Sequence, residues 1–202
     1  MCIRDRSSLL NQQEYDLLTA VEDIPILFKS LKPTDKEKII ADFNSLGYNT
    51  TNITIQGSGA TTIMFVKEKG VRKNIPHFQL SQGMFRTLAL IVYMQYLISR
   101  KKPVTIIIDD LCEGLDYERA TKLGKLLFET ALKGDIQLIA TSNDNFLMEV
   151  VDLKYLNIFF RTGKKVHGIN AQSNPKLFEE FKFTGLSNFD FFSSNYIKTA
   201  QQ

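Results

Sequence analysis

The sequence predicts an α/β fold: a mostly parallel sheet flanked by helices, with antiparallel hairpins beside it. Three observations predict it. Residues 105–108 (TIII) form a short β-branched run that ends on two adjacent carboxylates, Asp109 and Asp110; such runs suit a parallel strand covered on both faces. Residues 136–140 (IQLIA) are a second run of this kind, and the helix-patterned stretch between the two completes a β-α-β spacing. Residues 81–99 are apolar nearly all round, the pattern of a helix buried against a sheet.

The totals bound the answer. A chain of 202 residues has room for one ordinary domain with a sizeable core. With 44% hydrophobic and 23% charged residues it is globular rather than disordered. A net charge of +3 is too small to demand nucleic acid as a partner. Cys2 and Cys112 make no disulfide framework and no metal pattern, so a reducing, cytoplasmic setting is expected. The longest apolar run, residues 88–94, stops at Gln95, far short of a membrane span. The opening MCIRDRSS has no apolar core and is no secretory signal; residues 1–8 read as a non-native leader.

Taken in order, residues 9–48 read as helical. Residues 9–30 have mixed helical periodicity broken at Pro25, and a second helix runs from its cap at Thr34 through Phe43 to a stop at Gly47. Residues 50–55 and 61–67 are β-branched runs joined through Gly57-Ser58-Gly59, a hairpin signal. A turn at Lys69-Gly70 leads to a short strand and then to Phe78-Gln79-Leu80. Ser81 is the expected N-cap of the long apolar helix, and Gly83 lets another backbone come close. Lys101-Lys102-Pro103 breaks that helix. Asp116 caps the next one and Gly134 ends it. After the second strand, a helix reaches about residue 151. Residues 156–161 and 165–169 form a hairpin turning at Gly163-Lys164, and Asn174-Pro175 opens a last helix. Residues 171–202 are that helix and an aromatic tail, read as a layer capping the core rather than a docking surface. The basic stretches 67–73 and 100–102 read as solvated turns.

The chemistry concentrates at residues 80–116. Ligands in open α/β sheets sit beyond the carboxyl ends of the strands. Two carboxylates placed there repel one another unless a cation or a proton-accepting task holds them. A helix amino end such as Ser81-Gln82-Gly83 offers free N–H groups and a positive dipole end, which suit a phosphate. The stretch LSQGMFR, with Leu80, Ser81, Gly83 and Arg86, resembles the signature motif of the ABC-type P-loop ATPases. TIIIDD and Gly114-Leu115-Asp116 resemble the Walker B strand and the D-loop of the same proteins. The resemblance is to their RecF/SMC-like (AAA-type, non-transporter) branch, where the signature commonly reads L-S-x-G-x-x-R.

This resemblance implies roles residue by residue. Asp109 would hold Mg²⁺ through a water. Asp110 stands where the family usually has a catalytic Glu, with Glu113 as the rival base. Ser81 and Gly83 would contact the γ-phosphate of a nucleotide bound to another subunit. Arg86, one turn into an otherwise apolar helix and grouped with the cofactor-binding residues, needs a carboxylate or a phosphate as partner, or else snorkels to the surface. Asp116 would shape the subunit contact, and Ser142 aligns with the switch histidine, so that Ser142 or Asn143 could bond a phosphate or the lytic water. The implied cofactors are ATP and Mg²⁺; His77 and His167 lack companions at ligand spacing, so no other metal is expected. The implied partner is a second copy or a missing amino-terminal half, with nucleic acid left open and no membrane.

One part of the pattern is absent. The chain has no Gly-Lys-Ser/Thr loop to wrap the phosphates, since Gly124-Lys125 is followed by Leu126 in a helical context. Residues 49–170 therefore read as the carboxyl-terminal half of such a domain, incomplete without what carries the loop. The expected function is Mg²⁺-dependent ATP hydrolysis in ATP-sandwiched dimers, serving DNA repair or antiphage defence. Nucleotide-gated dimerisation with little turnover is the alternative, because Asp and Ser stand where Glu and His are usual. A third reading is an interaction protein that kept the sheet after losing nucleotide binding.

Overall fold

The structure, a computed structural model, describes residues 3–5, 17–134, 136–142 and 144–193. Expectations for residues 9–16, for Asn143 and for the tail beyond 193 lie outside these residues. The chain divides into two compact units, Met1–Asn143 and Asp144–Gln202; the division falls inside the stretch 49–170 that the sequence treats as one half-domain.

The first unit contains β1 (Ile3–Asp5), α1 (Leu17–Ser30), α2 (Pro33–Ser45), β2 (Thr50–Gln56), β3 (Ile63–Glu68), β4 (Ile75–Pro76), α3 (Gln82–Arg100), β5 (Val104–Ile108), α4 (Tyr117–Lys133) and β6 (Ile136–Ala140). Strand β5 pairs in parallel with β6, Ile108 opposite Ala140, and in antiparallel with β1, giving the order β1-β5-β6. The expected hairpin is β2–β3, extended by β4 into a second, antiparallel sheet. The molecule is thus mixed α/β, with its described parallel pairing at β5–β6.

Helix α3 is the spine of this unit. Its residues from Arg86 to Gln95, and Leu97, are buried, and it packs on α1, α2 and α4. A polar tie to α2 is Gln95 Nε2 donating to Asp35 Oδ1 at 2.9 Å. The helix ends at Arg100 because Lys101 turns left-handed (φ 52°) and Pro103 cannot continue it.

Three local expectations are corrected. Pro25 does not break α1 but lies inside it; burying Ile24 and Phe28 on the inner face outweighs the hydrogen bond a proline forfeits. Helix α2 starts at Pro33, with Lys32 rather than Thr34 at the N-cap and no side-chain cap; a proline at the first position gives up an N–H that would have no partner there anyway. Strands β5 and β6 are not covered on both faces among the described residues. Val104, Ile106 and Ile108 are buried, but Gln137 and Ile139 of β6 are exposed, Ile139 by 46%. A β-branched run reports strand preference, and not how many faces are covered.

The second unit holds α5 (Asn145–Val150), the hairpin β7 (Asn157–Thr162) and β8 (Lys165–Asn170), α6 (Pro175–Lys182) and α7 (Asn188–Ser193). Its core joins Leu153, Ile158, Ile169, Phe178, Phe181 and Phe191. The aromatic tail is therefore divided: Phe191 packs edge-on to Phe178 at 4.9 Å as a capping side chain, whereas Phe183 is 91% exposed.

Candidate functional site

Asp109 and Asp110 follow the last residue of β5, and both are exposed. The neighbouring strand delivers Thr141 beside them. Its hydroxyl donates to Asp109 Oδ1 and accepts from the Asp110 N–H at 3.0 Å. The backbone continues the pairing, with Thr141 N–H to Ile108 O and Leu111 N–H to Thr141 O, both at 2.9 Å. The acid pair is thus fixed to the end of β6. Asp110 itself adopts φ 50°, a left-handed conformation that few residues other than glycine take up.

The start of α3 builds a separate group, whose cleft is not lined by Asp109, Asp110 or Thr141. Ser81 caps the helix, its Oγ accepting from the Met84 N–H at 3.3 Å. Gly83 lies hard against the 114–116 turn: a Cβ there would meet the Gly114 carbonyl oxygen at 2.5 Å and Leu115 Cδ2 at 3.1 Å. Gly114 has φ 78°, which its lack of a Cβ makes cheap. Asp116 caps α4 by accepting from the Arg119 N–H at 3.0 Å and pairs with the Arg119 guanidinium. Those contacts, the Arg119 backbone N–H foremost, hold its carboxyl below the usual range. Arg119 lies over the Tyr48 ring, 4.7 Å from its centre. Ser81, Gly83, Asp116, Arg119 and Tyr48 line one open cleft.

Arg86 takes neither a surface position nor one facing that cleft. It is 7% exposed, and its guanidinium donates to Glu113 Oε2 at 2.9 Å, to the Asp109 carbonyl at 3.1 Å and to the Asp110 carbonyl. Glu113, the rival base, is thus the ion-pair partner of Arg86. Ser142 follows Thr141 at the same strand end, half-buried. Gly124, of the Gly-Lys pair without a following Ser or Thr, is a buried residue in the middle of α4.

Sequence reasoning missed Thr141 in favour of Ser142, and it missed Arg119 and Tyr48. Strand register could have found Thr141, because a residue following β6 falls opposite the one following β5. Nothing local marks Tyr48, which is brought to Arg119 from the connection after α2.

The donor set suits Mg²⁺. The described residues contain no cluster of three metal-ligating side chains, and Mg²⁺ needs none, since it is commonly held by one or two carboxylates, waters and substrate phosphates. Asp109, oriented by Thr141, is an exposed carboxylate that could serve in this way.

No protein-family model and no curated protein matches the chain. Solved structures do share its fold. One is an Smc head domain with an extended coiled coil, bound to the C-terminal domain of ScpA, from Pyrococcus furiosus: TM-score 0.52, 16% identity, covering 73% of this chain and 37% of that one. Another is an Smc head bound to the C-winged helix domain of ScpA: TM-score 0.51, 16% identity, covering 79% of this chain and 46% of that one. The chain has the fold of an SMC head. A weaker likeness, TM-score 0.47 at 16% identity, covers 82% of this chain and 95% of an SMC ATPase described for ATP-driven dimerisation and DNA-stimulated activation. Against the first two SMC heads the chain spans less than half of their length. Among its described residues no helix is long and apolar enough to cross a membrane.

Proposed function

We propose that this chain is the carboxyl-side part of an ATPase head that binds ATP with Mg²⁺ between two subunits and hydrolyses it. The observation that carries this reading is the acid pair at the end of β5, hydrogen-bonded to Thr141 at the end of β6. That is the strand-end edge where α/β folds bind ligands, in a chain with the fold of an SMC head.

In this reading each residue has a task. Asp109 would hold Mg²⁺, with Thr141 occupying one of its carboxylate oxygens and leaving the other for the ion. When bound, Mg²⁺ would supply charge neutralisation at the phosphates. Asp110 accepts a hydrogen bond from the attacking water, and Ser142 offers a hydroxyl to the γ-phosphate. Ser81 and Gly83 present the amino end of α3 to the nucleotide of the other subunit. Asp116, with its carboxylate kept ionised, shapes the subunit contact. Dimer closure and opening then perform the work; a DNA transaction, in repair or antiphage defence, is assigned by family analogy alone.

The test is steady-state hydrolysis by the chain together with the segment that carries its phosphate-binding loop, joined or separately encoded. Asp110→Asn should lower turnover by roughly 10²-fold or more, the usual worth of a general base. Unchanged turnover would remove Asp110 from that role. One observation favours a second reading, nucleotide-gated dimerisation with little hydrolysis. Asp110 is a methylene shorter than Glu and sits at φ 50°, and a misplacement near 1 Å can cost about 10²-fold. ATP-dependent dimers without turnover in the wild type would select it.

A further inference from the structure

We propose that Arg86 is a positioning residue: from inside α3 it holds turn 109–113, and with it the left-handed Asp110, in the geometry in which the acid pair works. The proposal rests on the ATPase reading above.

The geometry is specific. Asp110 is tied on both sides of its unusual conformation. Its N–H donates to Thr141 Oγ1 at 3.0 Å, and its carbonyl accepts from Arg86 and from the Glu113 N–H at 3.0 Å. A non-glycine residue at positive φ persists only where its surroundings over-determine it. Arg86 makes one of the three ties to Asp110 and from the same guanidinium holds two more groups of the turn, the Asp109 carbonyl and the Glu113 carboxylate. Only arginine has a planar fork that serves three acceptors at once.

Stability alone does not account for this residue. The Arg86 Nε–H is buried without an acceptor among the described residues, and a buried donor left unmade costs stability. Glu113, its charged partner, keeps 62% of its side chain exposed and does not need the pair. An apolar side chain of similar volume would fill the space more cheaply. What arginine adds is the hold on the turn.

The hold also links two motifs. Gly83 touches Gly114, and Arg86, one turn on, grips 109, 110 and 113, so one helix braces both ends of the loop from 109 to 114. A shift of the start of α3, where Ser81 would meet the other subunit's nucleotide, is therefore passed to the acid pair of its own subunit.

The experiment uses the ATP-hydrolysing assembly with Arg86→Met and Arg86→Lys. Both should keep a near wild-type unfolding midpoint and ATP-dependent dimerisation. Their kcat should fall by about 10²-fold, the cost of a misplacement near 1 Å, with KM little changed. Hydrogen exchange should quicken at the Leu111 and Glu113 amides while those of Val92 and Ile106 stay protected. In Arg86→Ala, added guanidinium ion should restore part of the lost turnover. Variants that lose kcat only in proportion to their folded fraction, with KM and guanidinium response like wild type, overturn the proposal. A wild type without turnover brings down the ATPase reading and this one with it; an active wild type matched by its Arg86 variants brings down this one alone.

Discussion

Gly83 shows how much a single missing methyl can decide. Alanine is the better helix former by about 1 kcal/mol, so in a solvent-facing first turn Gly83→Ala would stabilise the protein. Here the new Cβ would lie 2.5 Å from the Gly114 carbonyl oxygen, a contact with rigid backbone rather than with a yielding side chain. Gly83→Ala is expected to destabilise by about 1–3 kcal/mol as the loop is pushed away, read as a lower unfolding midpoint; an increase would mean that the approach of helix and loop is not tight. The sequence marked this glycine for close approach, and it was right. It also marked the caps Ser81 and Asp116, since a cap is settled by residues three apart. Arg86 was marked only as an arginine in need of a partner. Its partner lies 27 residues on, and nothing local names it.

At the scale of elements, the joint between the β2–β3–β4 sheet and α3 depends on His77. The imidazole is buried, its Nδ1 accepting from the Met64 N–H at 3.4 Å, with Phe78 and Phe85 against its ring. Burial depresses its pKa below the ordinary value of about 6.5. The unfolded chain therefore binds the proton more readily than the folded one. The stabilisation is fully present above about pH 6.5 and is lost as pH falls through the lower, folded value. The midpoint of thermal unfolding should drop between pH 7.5 and 5 in the wild type, and drop less in His77→Gln, which keeps an acceptor for Met64 and cannot charge. Equal slopes would exclude His77 as the cause. Element existence was legible throughout this region, because strand and helix periodicities are local signals. Starts and interruptions were less so: Pro33 displaced Thr34 as the opening of α2, and burial of Ile24 and Phe28 carried α1 through Pro25.

For the whole molecule, the decisive feature is what the chain contains relative to the fold it shares. It spans 37% and 46% of the two SMC heads compared, and it carries strand-end acids and a signature-like helix without a Gly-Lys-Ser/Thr loop. A calorimetric titration of the chain by itself should accordingly give ATP binding weaker than micromolar, and binding should tighten when the segment bearing the loop is added. Micromolar affinity for the chain alone would show that the described edge of the sheet suffices.

The amino-acid sequence by itself determined the α/β class, the order of strands and helices around residues 80–116, and the capped, glycine-containing start of α3. These follow from periodicity, capping and turn chemistry, all of which act over a few residues. Tertiary structure alone decided that Thr141 is the group bonded to the acids, that Arg86 faces the turn rather than the cleft, and that Tyr48 meets Arg119. Those contacts join residues tens of positions apart, and only strand register and helix packing bring them within hydrogen-bonding or stacking distance.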